Sequence, residues 1–234
     1  MIRAVLFDMG GTLDGDGRHW LDRFVALYAA AGVARSREEL RAAFDAAERR
    51  AAIDASIASA NLHAMVERHV EWQFASLGLD DADLRRRIVD GFVAPVRAAA
   101  PLNARLLADL AACGLRLGVV SNGCGNVSVL CDELGFAPSL STVVDSRRVG
   151  LFKPDPAIFS YAVSQLGVPP PEALMVGDSF DRDVRPAKTA GLQTAWLEGP
   201  GTRVCPDPSL VDFRLASLDA LRSHLPAAER IVAS

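Results

Sequence analysis

The sequence predicts an α/β fold, in which helices cover both faces of a parallel sheet and a further all-helical segment is inserted into the chain. Short apolar runs, rich in branched residues, occur at residues 2–7, 115–120 and 173–176, and each is stopped by glycine or by polar residues. Helical patterns separate the later runs, whereas residues 18–95 carry almost no strand signal.

The three strong runs have the length and composition of buried strands. Because strands and helices alternate, right-handed crossovers and a parallel, Rossmann-like sheet are expected. Weaker strand patterns lie at residues 142–144, 193–197 and 211–215. Helices are expected at residues 103–113, 156–166 and 183–190, with a closing helix in the tail.

Residues 18–95 are rich in Ala, Arg, Glu and Leu. Their periodicity predicts four helices, and Pro95 and Pro101 are expected to bracket the return to the sheet. We therefore predict two units, a core of residues 1–17 and 96–234 and a helical insert of residues 18–95. The four helices are expected near residues 18–31, 36–60, 61–77 and 80–93.

The overall composition limits the possible partners. Half of the 234 residues are apolar and the net charge is −4, so no broad electrostatic attraction to nucleic acid or to an anionic membrane is expected. No apolar run approaches the ~18 residues of a membrane span, and the N-terminus lacks the features of a signal peptide. The four cysteines form no C-x-x-C pair. A cytoplasmic location with free thiols is expected.

Polar residues follow the strong strands at the edge of the sheet where ligands bind in such folds. Carboxylates with oxygen-bearing neighbours suit Mg²⁺, and the N–H groups of a Gly-Gly turn can bind an anion. A lysine can neutralise that anion, and a carboxylate in this setting can attack phosphorus. The residues concerned are Asp8 to Thr12, Ser121 and Asn122, Lys153, Asp178 and Asp183.

The order of these residues resembles the four motifs of the haloacid dehalogenase-like (HAD) superfamily. The motifs are Asp8-x-x-Gly11-Thr12-Leu13, then Ser121-Asn122-Gly123, then Lys153-Pro154-Asp155-Pro156, and Gly177-Asp178-Ser179 with Asp183. The helical insert lies where that superfamily places its cap domain. The resemblance implies a catalytic Rossmann-like core with a cap that closes over the site.

The resemblance also implies residue roles. Asp8 resembles the nucleophile, Thr12 and Ser121 the hydroxyls that position nucleophile and phosphate, and Lys153 the charge-neutralising lysine. The implied metal ligands are Asp8, the carbonyl of Gly10, Asp178 and Asp183. The implied phosphate-binding residues are Met9, Gly10, Gly11, Ser121, Asn122 and Lys153. The expected activity is that of a Mg²⁺-dependent phosphatase, which cleaves a small phosphorylated metabolite through an aspartyl-phosphate at Asp8.

The chain departs from the phosphatase pattern at Gly10. In phosphatases of the superfamily this position is usually an aspartate, which protonates the leaving group and then activates water. Loss of such a group typically costs ~10²–10⁴ in rate. Three explanations are open: an activated leaving group, a substitute acid, or a reaction other than phosphate ester hydrolysis. The candidate substitutes are Asp14, Asp16, His63 and His69.

Two other functions are weighed against the phosphatase. The metal-independent 2-haloacid dehalogenases share Ser121-Asn122, but they carry Ser and Asn within the segment that here reads Gly177-Asp178-Ser179. They also usually have a tyrosine where this chain has Phe159. A catalytically weak or non-enzymatic member, which only binds a phosphorylated ligand, is the third possibility. The phosphonate-cleaving branch needs a cap lysine, and residues 18–95 contain none.

Overall fold

A computed structural model describes residues 1–199 and 203–225 of the chain. It contains a six-stranded, entirely parallel sheet with the strand order β3-β2-β1-β4-β5-β6. This confirms the predicted α/β, Rossmann-like fold. The strands are β1 (Ala4–Phe7), β2 (Arg116–Ser121), β3 (Thr142–Asp145), β4 (Ala173–Gly177), β5 (Gln193–Leu197) and β6 (Phe213–Leu215).

The central strand β1 determines where the candidate site lies. All four of its residues are buried, as expected for a strand with neighbours on both edges and helices on both faces. Phe7 is paired with Val119 of β2 and with Val176 of β4. The residues that follow the three strands therefore emerge side by side at one edge of the sheet.

The helices agree with most of the predicted positions. Their bounds are α1 (Trp20–Ala30), α2 (Arg37–Ala51), α3 (Leu62–Leu77), α4 (Ala82–Ala112), α5 (Val127–Glu133), α6 (Ser146–Val149), α7 (Ala157–Leu166) and α8 (Arg185–Thr189). The helix predicted at residues 36–60 is shorter, because Asp54 starts a separate 3-10 turn at Ala55–Ser59 by accepting a hydrogen bond from the Ser56 N–H at 2.8 Å.

The prediction that separate helices flank Pro95 and Pro101 is wrong. Helix α4 runs without interruption through both prolines. Each proline removes one backbone hydrogen bond, but α4 buries ten apolar or small residues along its length, and this burial offsets the loss. The predicted boundary at residues 95/96 thus lies inside a helix, and the division into core and insert remains a prediction.

The tail is described only in part. Strand β6 is observed, and a 3-10 helix at Leu218–Ser223 follows it. Residues 226–234, where the rest of the predicted closing helix would lie, are outside the described part of the chain. Within the described residues, no helix is long and apolar enough to cross a membrane.

Aromatic rings form the centre of the helical segment. Phe24 of α1 stacks on Phe92 of α4 with ring centroids 4.6 Å apart, and on His69 of α3 at 5.5 Å. Trp20 meets Phe92 edge-on, also at 4.6 Å. Such pairs add to the free energy gained by burying their area, so this cluster fixes helices α1, α3 and α4 relative to one another.

Polar contacts dock the helical segment onto the loops after β2 and β3. The Arg147 guanidinium donates to the carbonyls of Ala51, Asp54 and Cys124, and Asn126 donates to the carbonyl of Ala60 at 3.0 Å. A further hydrogen bond joins the Leu62 N–H to Glu133 at 2.7 Å. The helical segment therefore covers the carboxyl edge of the sheet.

We predict that Phe92→Ala lowers the free energy of unfolding by about 3–5 kcal/mol, because it removes a fully buried ring from the aromatic cluster. Urea denaturation followed by circular dichroism measures this change. Leu102→Ala, in the same helix but 72% exposed, is the control and should change the value by less than about 0.5 kcal/mol. Equal losses in the two variants would contradict the structural role given to Phe92.

Candidate active site

Three carboxylates meet at the carboxyl edge of the sheet. Asp8 directly follows β1, and its N–H donates to the Val176 carbonyl at 2.9 Å, so the end of β4 holds it in line. One oxygen each of Asp8, Asp178 and Asp183 lies within 4.8 Å of the other two. All three residues are buried, which makes their mutual repulsion costly unless positive charge is near.

Lys153 supplies part of that charge. Its Nζ lies 2.6 Å from Oδ1 of Asp8 and 2.6 Å from Oδ1 of Asp183. Burial lowers the pKa of Lys153, but the carboxylates of Asp183 and Asp8 outweigh burial and hold the pKa above its ordinary value. The lysine is therefore charged and bridges two of the three carboxylates.

The side chain of Asn122 holds Lys153 in place. Its Nδ2 donates to the Lys153 carbonyl and its Oδ1 accepts from the Lys153 N–H, both at 2.8 Å. Asn122 was predicted to bind phosphate. Its amide makes a paired contact with the lysine backbone, which connects the loop after β2 to the loop before α7.

Thr12 contacts Asp178. The Asp178 N–H donates to Thr12 Oγ1 at 3.1 Å, and this hydroxyl lies 3.4 Å from Asp178 Oδ1. The residue before Thr12 is a glycine for two reasons. Gly11 has a φ of 92°, which favours glycine, and a β-carbon there would lie 2.8 Å from the Asp178 carboxylate. The Thr12 hydroxyl is fully buried and orients a carboxylate.

The pKa values of Asp178 and Asp183 reflect the crowding of negative charge. Burial raises the pKa of Asp178 well above its ordinary value, and the charges of Asp8 and Asp183 raise it further. Burial also raises the pKa of Asp183 to about 6, against the opposing charge of Lys153. One lysine thus leaves the three carboxylates short of positive charge.

Ser121 ends β2 and borders the same cavity as Asp8. The loop that follows it is organised by Asp145, a buried residue that we did not predict. One oxygen of Asp145 accepts from the N–H groups of Gly125 and Val127, at 2.9 and 3.1 Å. The position of Asp145 directly after an apolar strand was the available sequence signal.

The carboxylates open into a cavity of about 130 Å³ under the helical segment. Its floor includes Asp8, Met9, Gly10, Ser121, Asn122, Lys153, Asp178 and Asp183. The structure therefore brings eight of the predicted site residues to one cavity, while Gly11 and Thr12 lie behind it.

Residues from the helical segment form the roof of the cavity. His19 and Glu48 of this segment line the cavity and were not predicted, and Arg182, from the turn after β4, lines it as well. The predicted Asp14, at the end of the turn after β1, is also among the lining residues. His69, a proposed substitute acid, is buried behind the roof, where its Nε2 lies 2.9 Å from Glu48 and its Nδ1 lies 2.8 Å from Gln73. Helical periodicity alone does not reveal which residues of the helical segment face a cavity.

The chain matches a known protein family over most of its length. A family model described as haloacid dehalogenase-like hydrolase matches residues 2–191. The chain belongs to this family of hydrolases. The motif resemblance is thereby confirmed for the family.

Two curated relatives of the HAD chain are phosphatases. The chain is 39% identical over 95 residues to a phosphoserine phosphatase of Thermus thermophilus, and the match covers 39% of this chain and 37% of the relative. It is 31% identical over 125 residues to a glyceraldehyde 3-phosphate phosphatase of Methanocaldococcus jannaschii, covering 52% and 54%. The matches thus span about a third to a half of the relatives' lengths.

Solved structures share the fold over nearly the whole chain. The L-2-haloacid dehalogenase of Xanthobacter autotrophicus superposes with a TM-score of 0.60 at 21% identity, covering 95% of this chain and 98% of that one. At this identity the likeness establishes the architecture of the HAD fold and not the reaction.

The two lysines of the chain allow a matched test of the charge cluster. Lys153→Met leaves buried carboxylates without their partner, so we expect the free energy of unfolding at pH 7, in metal-free buffer, to fall by about 3–5 kcal/mol. Lys188→Met removes a partly exposed ion pair to Asp212 and should cost less than about 1 kcal/mol. Urea titrations of both variants measure the difference, and similar losses would argue against a neutralising role for Lys153.

Proposed function

We propose that this HAD hydrolase is a Mg²⁺-dependent phosphatase, which acts on a small phosphorylated metabolite and uses Asp8 as the nucleophile. The observation that carries the proposal is the convergence of Asp8, Asp178 and Asp183 within 4.8 Å at the base of one cavity. The phosphatase names of the curated relatives support the same reaction.

The donor set fits a hard divalent cation. All three side chains offer carboxylate oxygens, which Mg²⁺ prefers. Burial, and after it the neighbouring carboxylates, raises the pKa values of Asp178 and Asp183, although the charge of Lys153 opposes the rise. Asp8, Asp178, Asp183 and the carbonyl of Gly10 would hold the ion. When bound, it would neutralise charge on the phosphoryl group and favour attack by a carboxylate.

The residues of the chain then have distinct tasks. Asp8 Oδ attacks phosphorus, while the N–H groups of the turn after Asp8, the Ser121 hydroxyl and Lys153 hold the phosphoryl oxygens. Water afterwards hydrolyses the aspartyl-phosphate and restores the Asp8 carboxylate. The helical segment covers part of the cavity, and the reduced access of bulk water would strengthen these electrostatic contacts.

A metal-independent dehalogenase is the competing activity. In that reaction a carboxylate attacks carbon, so two further buried carboxylates beside the nucleophile serve no purpose and add repulsion. The presence of Asp178 and Asp183 beside Asp8 therefore favours phosphoryl transfer.

We expect wild-type protein to release phosphate from members of a panel of small phosphomonoesters only when Mg²⁺ is present. Asp8→Asn should abolish this release, because an amide cannot form the aspartyl-phosphate. A colorimetric phosphate assay measures turnover. Halide release from 2-haloacids in EDTA, without phosphate release from any ester, would instead identify a dehalogenase.

Binding of Mg²⁺ can be tested without turnover. At a concentration 100 times its Kd, the ion should stabilise the wild-type fold by about 2.7 kcal/mol and raise its melting temperature. Asp178→Asn should lose this response. In metal-free buffer the variant should unfold no more easily than the wild type, because the substitution removes a charge from beside Asp8 and Asp183.

Asp181→Asn is the matched control for this experiment. Asp181 lies in the same loop, but its side chain is 80% exposed and pairs with Arg185 at 3.4 Å. This variant should retain the full Mg²⁺ response in differential scanning fluorimetry. A wild-type melting temperature that does not change with Mg²⁺ would contradict the proposed metal site.

A further inference from the structure

The space above Gly10 is taken by an indole ring. A β-carbon built on Gly10 would lie 3.4 Å from Nε1 and 3.7 Å from Cδ1 of Trp20, the first residue of α1. At these distances a β-carbon would be in ordinary van der Waals contact with the ring, so Trp20 packs directly over Gly10.

The indole of Trp20 also contacts the carboxyl group of Asp14. Trp20 Nε1 donates to Oδ2 of Asp14 at 2.7 Å, and the Gly11 N–H donates to Oδ1 of Asp14 at 2.6 Å. The Asp14 side chain is only 2% exposed, and it lines the cavity that also contains Asp8 and Lys153. The turn that begins with the nucleophile thus ends with a second carboxyl group in the same cavity.

The backbone of this turn brings Asp14 back toward Gly10. The Asp14 N–H donates to the Met9 carbonyl at 3.2 Å, and the Gly17 N–H donates to the Gly11 carbonyl at 2.7 Å. These bonds close a loop in which Asp14 lies four residues after Gly10 in sequence but against the same stretch of chain in space.

The surroundings of Asp14 favour a carboxyl group that can hold a proton. Burial raises its pKa, and this effect outweighs the charge of Arg23 and the hydrogen bonds to the carboxylate, all of which lower the pKa. Arg23 lies 3.6 Å from Oδ1 of Asp14 and donates to the Asp14 carbonyl at 3.3 Å, and its guanidinium also donates to the Phe92 carbonyl at 2.9 Å and covers the Phe92 ring. The guanidinium of Arg23 is thus shared between Asp14 and Phe92.

We propose that Asp14 is the acid–base residue of this enzyme and replaces the aspartate that is missing at Gly10. This inference rests on the proposed phosphatase function and assigns the proton transfers of that reaction.

Asp14 transfers one proton in each of the two steps of the reaction. Asp8 Oδ forms a bond to phosphorus as the bond to the ester oxygen breaks, and the Asp14 carboxylic acid gives its proton to that oxygen, which leaves as an alcohol. The Asp14 carboxylate then takes a proton from water as the water oxygen attacks the aspartyl-phosphate. The bond between phosphorus and Asp8 breaks, phosphate leaves, and both side chains regain their starting states.

The other substitutes considered from the sequence do not fit. Asp16 Oδ1 accepts from the Leu218 N–H at 2.6 Å and does not line the cavity, and His63 faces Asp90 at 3.9 Å outside it. His69 is buried between aromatic rings and does not line the cavity either. Among these four residues only Asp14 reaches the site.

Asp14→Asn tests the assignment, because asparagine retains the size and one acceptor oxygen but cannot transfer the proton. With an alkyl phosphomonoester such as glycerol phosphate, whose alkoxide is a poor leaving group, kcat should fall by about 10²–10⁴. With p-nitrophenyl phosphate the leaving group needs no proton. The first step should then persist, and the variant should give a stoichiometric burst of p-nitrophenol followed by slow turnover as aspartyl-phosphate accumulates.

A structural role for Asp14 predicts a different result. Loss of packing would slow both substrates by the same factor and produce no burst, and that outcome, or an unchanged kcat with the alkyl ester, would overturn the proposal. Trp20→Phe is the second variant, in case Asp14→Asn does not fold. It keeps an aromatic ring, although a smaller one, and removes the N–H donor to Asp14, so it should lower kcat selectively for the alkyl ester.

Asp16→Asn is the control for these measurements. It changes a carboxylate of the same loop that bonds to Leu218, at a position with a φ of 47° that asparagine tolerates. The rates of this variant with the alkyl phosphomonoester and with p-nitrophenyl phosphate should both stay within about twofold of the wild type. If the wild-type protein hydrolyses no phosphomonoester with Mg²⁺, the proposed function itself fails; if it does and Asp14→Asn is as fast, only the assignment of Asp14 fails.

Discussion

The burial of three carboxylates around one lysine is the constraint on which the rest of this structure depends. Asp8, Asp178 and Asp183 come from two different strand ends, yet one oxygen of each lies within 4.8 Å of the others. Bringing such charges out of water costs several kcal/mol per ion unless they are compensated. The fold accepts this cost because the parallel sheet delivers all three groups to one edge, where Lys153 reaches two of them.

Several nearby features exist to hold this arrangement. The Asn122 amide fixes the backbone of Lys153, Thr12 fixes Asp178, and the Ser179 N–H donates to Asp183 at 3.0 Å. Gly177 leaves room for the Asp183 carboxylate, which a β-carbon at that position would touch. The polar residues that surround the reacting groups thus act mainly on one another, and this leaves the cavity face of Asp8 free for a substrate.

The sequence predicted the centre of the sheet well because β1, β2 and β4 are short apolar runs that end in a polar residue or glycine, a pattern that depends on local order alone. It also predicted the floor of the cavity, since the motifs lie directly at those strand ends. It failed at Pro95 and Pro101, where tertiary burial overrides the local preference of proline. The roles of Glu48 and Arg182 could not be read from sequence, because they depend on which loops and helices pack together.

Helix α4 has a mechanical consequence for the enzyme. One end of this 31-residue rod packs in the aromatic cluster above the cavity and the other end leads directly into β2. Any movement of the roof away from the sheet must therefore bend α4, because no loop interrupts this helix. Pro95 and Pro101 already lack the amide hydrogens that bending would pull from their acceptors, so the rod is most compliant between the roof and the strand that carries Ser121.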